Sequence, residues 1–119
     1  MKIALTSKGK DLDSDLDERF GRARHFIIYD TETESFETID NEQNLNSPQG
    51  AGVQAAETIA KTGAASLVTG HCGPKAFRAL TAAGIKVFTT NATTVKEALD
   101  LYLAGKLTEA DNADVEGHW

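Results

Sequence analysis

The order of apolar runs in this chain predicts an α/β fold, a mixed five-stranded sheet with helices on its faces. Two observations carry that prediction. Up to about residue 40 the apolar stretches are short, rich in β-branched and aromatic residues, and separated by polar turns. Beyond residue 50 the period lengthens, and stretches with apolar residues three and four apart alternate with short apolar runs, with glycines at the changes.

Residues 2–6 open the chain as an apolar strand that ends in Ser7-Lys8-Gly9-Lys10. Residues 25–29, His25-Phe26-Ile27-Ile28-Tyr29, form a second strand, and 36–39 a weaker third. The link between them is short and polar, so these two pair as an antiparallel hairpin. Residues 41–50, with Ser47-Pro48 and Gly50, read as a loop. Val53, Ala56, Ile59 and Ala60 share one face of a helix that Gly63 closes, and 65–69 make strand four. Pro74 suits a first helical position, Phe77 and Leu80 follow three apart, and Gly84 stops that helix before strand five at 85–89. Thr94 and Glu97 have capping-box spacing ahead of an apolar stripe of Val95, Ala98, Leu99 and Tyr102. The order βββαβαβα makes strands one, four and five parallel through right-handed crossovers, with the hairpin extending the sheet. Residues 1–107 then read as one domain and 108–119 as a polar, frayed tail.

At 119 residues such a domain buries roughly two-thirds of the surface its unfolded chain exposes. A single cysteine forms no internal disulfide. The chain has no apolar run of about 18 residues and no charged-then-apolar leader, so a cytoplasmic location is expected. A net charge of −6 argues against a general binder of nucleic acid or membrane surfaces, which needs a basic face. Yet Asp11, Asp13, Asp15, Asp17 and Glu18 are followed at once by Arg19, Arg22, Arg24 and His25. The segment is either a solvated loop whose charges neutralise each other or a local basic cluster kept by an acidic protein.

The lone cysteine lies in Gly70-His71-Cys72-Gly73-Pro74, between strand four and the next helix. Strand, glycine loop and helix make an anion-binding geometry, because the helix N-terminus offers unpaired N–H groups and partial positive charge. A thiolate and an imidazole in the same loop are donors for a soft metal. In such sheets ligands gather beyond the carboxyl ends of the parallel strands, where the loops at Ser7 and Gly70 are neighbours. Arg19 to His25 joins them if the leading segment folds over that edge. Against this stands the plainer reading of Cys72 as a small half-buried thiol at a strand end. His71 and Cys72 are only half of a metal site, whose other ligands come from His25 or from the metal's own inorganic sulfides. His118 and Trp119 read as incidental.

Other chemistries fit less well. Cys72 and Arg78 have the spacing of cysteine-dependent phosphatases, but Pro74 removes one backbone donor from the loop that would hold phosphate. Asp11, Asp13 and Asp15 begin like a calcium loop, yet the required glycine is Leu16 and the required glutamate is Arg22. A two-metal nuclease needs an acidic residue at the end of strand one, where this chain has Thr6 and Ser7. No Walker-type glycine run is present.

Four motifs in order carry a resemblance. Met1-Lys-Ile-Ala-Leu, Glu18-Arg19-Phe20-Gly21-Arg22-Ala23, Gly50-Ala51-Gly52-Val53-Gln54-Ala55-Ala56 and Thr69-Gly70-His71-Cys72-Gly73-Pro74-Lys75-Ala76-Phe77 together resemble the dinitrogenase iron-molybdenum cofactor biosynthesis family, as small NifX-like domains. The resemblance implies a ribonuclease-H-like sheet. It also implies a non-catalytic role in binding and passing on an anionic molybdenum-containing metal-sulfide cluster. That cluster is of the molybdenum-iron-sulfur kind or, as in the orange-protein branch, molybdenum-copper sulfide. A P-loop ATPase of the iron-sulfur-handling type is an implied partner. On this reading Arg19, Arg22 and Arg24, with Gly21 of the same motif, supply charge. Gly70, Gly73 and Lys75 belong to the loop that supplies N–H groups, and His71, Cys72 or His25 makes a metal contact. The competing readings are the phosphatase and an interaction module without a ligand.

Overall fold

The computed structural model describes residues 1–41 and 50–111. Strand β1 (Lys2–Ser7) is followed by β2 (His25–Asp30), β3 (Ser35–Asp40), helix α1 (Ala51–Lys61), β4 (Ser66–Thr69), α2 (Pro74–Ala82), β5 (Lys86–Thr89) and α3 (Val95–Leu103). The sheet runs β3-β2-β1-β4-β5. β1 pairs antiparallel with β2 and parallel with β4, and β4 pairs parallel with β5. The mixed five-stranded sheet expected from the sequence is therefore the one observed. Residues 42–49 of the expected loop, and His118 and Trp119, lie outside the described residues.

Period-two side-chain alternation sorts the core onto the two faces of the sheet. Ala4, Phe26, Ile28, Leu67 and Val87 pack on one face with Ile59 of α1 and Leu80 of α2. Ile3, Leu5, Ile27 and Val68 pack on the other with Val95, Ala98 and Leu99 of α3. Tyr102 completes that second face: its ring meets Phe88 edge-on with centroids 5.0 Å apart, and its hydroxyl lies 2.8 Å from the Ser66 hydroxyl.

Two helix details depart from the expected pattern. In α1 the buried residues are Ala51, Ala55, Ala56 and Ile59, while Val53 is half-buried and Ala60 exposed. The helix is turned so that its alanines pack in the same core cluster as Ala76 and Leu80 of α2, where small side chains let elements approach closely. At α3 the Thr94 hydroxyl accepts from the Glu97 N–H at 3.1 Å, as a capping box requires, but the Glu97 carboxylate takes the Thr93 N–H at 3.4 Å instead of that of Thr94.

The segment after α3 does more than trail away. Gly105, at φ +71°, reverses the chain, and the Ala110 N–H donates to the Val87 carbonyl at 2.8 Å, with Glu109 bridged to Phe88. The beginning of the expected tail is thus tied to the outer edge of β5. Because the cap positions the start of α3, Thr94→Ala should lower stability by about 1 kcal/mol, read as a lower urea midpoint with unchanged slope.

Candidate functional site

The carboxyl ends of β1, β4 and β5 all open on one edge of the sheet, and residues 8–24 are laid across it as a strap. The strap is fastened by isolated bridges in sequence: Leu16 to Ser7, Asp15 to Thr94, and Arg19 to His71. Leu16 N–H donates to Thr93 at 2.9 Å, and Lys96 N–H donates to Leu12 at 2.9 Å. The His71 N–H donates to the Glu18 carbonyl at 2.6 Å, and the Phe20 N–H returns a bond to the His71 carbonyl at 3.2 Å. Phe20 and Ala23 are buried in the core, so the strap carries its own apolar anchors.

Asp17 fixes the shape of the strap. It is 4% exposed, and its Oδ1 and Oδ2 accept the backbone N–H groups of Arg19 at 3.2 Å and Arg24 at 3.3 Å. The Arg19 Nε lies 4.0 Å from Oδ1. Asp17 is itself seated on β1: its N–H donates to the Thr6 carbonyl at 3.1 Å, and the Thr6 hydroxyl donates to the Asp17 carbonyl at 2.6 Å. Thr6 also lies 3.0 Å from the Thr69 hydroxyl, at the end of β4. Gly70 completes the seam, because a Cβ there would stand 2.7 Å from the Glu18 Cα and 2.8 Å from its carbonyl oxygen. Only glycine lets the two backbones come this close.

Above this seam lies an open cleft of about 890 Å³. Its walls are Lys8, Asp15, Leu16 and Glu18 from the strap, Gly70 and His71 from the β4 loop, residues 89–93 at and beyond the end of β5, and Leu101, Lys106, Leu107 and Thr108 from α3 and beyond. Lys8, Lys106 and His71 supply positive or protonatable groups, against the carboxylates of Asp15 and Glu18. Threonine and asparagine side chains make most of the β5 wall.

The residues expected at the site divide. Gly70 and His71 line the cleft, and Arg19 is bridged to His71. Arg24 and His25 do not line it: they face a separate cavity with Lys10, Thr38 and Asp40. His25 Nδ1 is 4.0 Å from Asp40 Oδ1. Gly21 is buried and its carbonyl lies 3.4 Å from the Asn41 amide nitrogen, so it serves the turn of the strap. Arg22 is half-buried and Lys75 exposed, and neither is among the cleft's lining residues. Gly73 caps α2 in an extended conformation, with its carbonyl accepting from Phe77 N–H at 2.9 Å.

Cys72 departs from the reading as a metal contact and follows the plainer one of a small thiol at a strand end, buried more fully than that reading expected. It is 1% exposed and belongs to the core cluster with Phe20, Ala76 and Leu80. Its Sγ lies 3.7 Å from the Gly73 carbonyl oxygen. A thiol packed this way is not presented to a ligand in the cleft, and Arg78 is exposed on α2, so the cradle of a phosphatase is not formed. Among the described residues no three His, Cys, Asp or Glu side chains converge to hold a metal ion. Lys106 is missing from the sequence reading because its place depends on the reversal at Gly105. Lys8 could have been found, since it directly follows β1 at the ligand-binding edge. Asp17 was hidden in a run of similar carboxylates.

Comparison with known proteins is consistent in family and fold. The family model described as dinitrogenase iron-molybdenum cofactor matches residues 1–105. The apo form of the orange protein from Desulfovibrio gigas is 43% identical, with 96% of each chain covered and a TM-score of 0.93. A Thermotoga protein assigned as NifB, of the DUF35 family, is 37% identical over 98% of each chain, with a TM-score of 0.85. An uncharacterised protein of Methanocaldococcus jannaschii is 32% identical over 111 residues, covering 90% of this chain and 93% of its own.

The seam makes a direct prediction. Gly70→Ala must push the Glu18 backbone away, at a cost of about 1–3 kcal/mol. The His71 and Phe20 amides should then exchange with solvent faster than in the parent, while central β1 amides keep their protection. Unchanged protection at both amides would mean that the close approach is not what holds the strap.

Proposed function

This chain belongs to the dinitrogenase iron-molybdenum cofactor family, and from that premise we propose that it is a non-catalytic carrier of an anionic molybdenum-containing metal-sulfide cluster. The cargo is received in the cleft at the carboxyl edge of the sheet. The observation that supports this most is the composition of that cleft: about 890 Å³, with Lys8, Lys106 and His71 on its walls and Arg19 at the seam.

Each group has a part in holding such a cargo. Lys8 and Lys106 approach an anion from different segments as mobile point charges. His71 offers its imidazole either as an N–H donor to sulfide or as a ligand to a soft metal. The hydroxyls and amides after β5 hydrogen-bond to the cargo's outer atoms. Charge-assisted hydrogen bonds contribute about 1.5–3 kcal/mol each, so a few of them give reversible binding. Asp15 and Glu18 oppose a second negative charge and limit affinity. A carrier needs that limit, because a full set of coordinate bonds would slow delivery. A P-loop ATPase of the iron-sulfur-handling type is the proposed partner in loading or release. Molybdenum with iron and molybdenum with copper both suit this donor set, and elemental analysis distinguishes them.

The test starts from protein purified without oxygen, which should contain molybdenum and acid-labile sulfide with a visible charge-transfer band. Apo protein should take up inorganic thiomolybdate, and the double substitution of Lys8→Gln with Lys106→Gln should weaken that uptake about tenfold. Raising salt should weaken it in the same direction. Cys72→Ala should leave uptake within about twofold of the parent. Loss of uptake in Cys72→Ala, with full uptake by the double variant, would replace this mechanism with thiolate coordination.

A further inference from the structure

We propose that the cavity bounded by Lys10, Arg24, His25, Thr38 and Asp40 is a second anion site, separate from the cleft, that takes a tetrahedral oxyanion of the phosphate type. The oxyanion is either free phosphate or the terminal phosphoryl group of a nucleotide. The cavity measures about 350 Å³ and shares no lining residue with the cleft. In a chain with 18 acidic and 12 basic residues, it gathers, among the described residues, three basic side chains against one carboxylate.

Three segments bring these groups together, and each has its backbone fixed. The Lys10 carbonyl accepts the Thr38 hydroxyl at 2.6 Å, which ties the loop after β1 to β3. The Arg24 N–H is held by the buried carboxylate of Asp17, and the Arg24 carbonyl accepts the Asn41 N–H at 3.0 Å. His25 lies in the sheet between Ser7 of β1 and Asp40 of β3. Only the side chains remain to be ordered by a ligand, so less conformational entropy is lost on binding.

The donor types suit an oxyanion. Arg24 presents a planar fork that matches two oxygens of a phosphate, and Lys10 adds a compact charge. The His25 side chain is 12% exposed, and its Nδ1 faces Asp40 at 4.0 Å. The imidazole therefore stands beside the carboxylate at the wall of the cavity, where a ring N–H can donate to an oxyanion. A metal ion fits poorly, because one imidazole and one carboxylate would have to hold it beside two cations.

The experiment is a titration of the full chain with inorganic phosphate at fixed pH and ionic strength, observing the imidazole nitrogens of His25 and His71 by NMR. The His25 ring signals should shift saturably, and that shift should persist in the double variant Lys8→Gln with Lys106→Gln, in which any response of His71 from the cleft is weakened. Arg24→Gln and Lys10→Gln should each weaken the response about tenfold while leaving thiomolybdate uptake intact. A parallel titration with ATP assigns the source: tighter binding than phosphate, with the same His25 response, identifies a nucleotide phosphoryl group, and weaker binding identifies free phosphate. An unmoved His25, a His25 response lost together with that of His71 in the Lys8→Gln and Lys106→Gln double variant, or an undiminished response in both Arg24→Gln and Lys10→Gln would overturn the site. Loss of thiomolybdate uptake in Arg24→Gln would also overturn it, by joining this cavity to the cleft.

Discussion

A carboxylate removed from water has to be met by donors, and the way Asp17 is met organises the functional edge of this protein. Its two oxygens take the N–H groups of Arg19 and Arg24, so a strap of unlike residues is bent into one shape by a single side chain. Thr6 seats that carboxylate's backbone on β1, and Thr69 links the arrangement to β4. The strap then meets the β4 loop in register, with Arg19 beside His71. The cleft's floor, the split of the basic residues and the burial of Phe20 all follow from that seating.

The order of elements was legible because each is announced by local chemistry: alternation in the strands, glycine at the helix ends, proline at the start of α2 and a hydroxyl cap on α3. Which faces are buried was less legible. Val53 and Ala60 share the right period, but α1 packs where α2 and the sheet both reach, and that fixes its rotation on Ala55, Ala56 and Ile59. The basic cluster was visible as a run of residues, yet its division was not. Phe20 and Ala23 turn inward between Arg19 and Arg24, and Arg24 lines the cavity with Lys10 and His25 while the Arg19 guanidinium lies near Asp17. Lys106 joins the cleft only because the chain doubles back after α3, and contacts that close over such distances leave no local trace.

Cys72 shows why a residue type in a suggestive motif does not settle its chemistry. Strand, loop and helix are all where a reactive thiol would need them. The Cys72 side chain nevertheless turns into the core cluster that also holds Phe20, Ala76 and Leu80, where it packs as a small apolar group. What the loop offers outward is backbone and imidazole. Binding that uses charges and hydrogen bonds in place of a closed ligand set can be undone by another surface of similar chemistry, which is the condition for handing a cargo on.

The pairing of Ala110 with Val87 bears on how copies of this chain can associate. A sheet with two bare edges can add strands at both, and nothing in its geometry stops the addition from continuing. Here Glu109 and Ala110 occupy the β5 side, while among the described residues β3 has no strand beyond it. Among the described residues the edge left open is therefore that of β3. A contact of β3 with β3 would use the same patch twice and close on itself as a pair, so the few residues tied along β5 work against open-ended polymerisation.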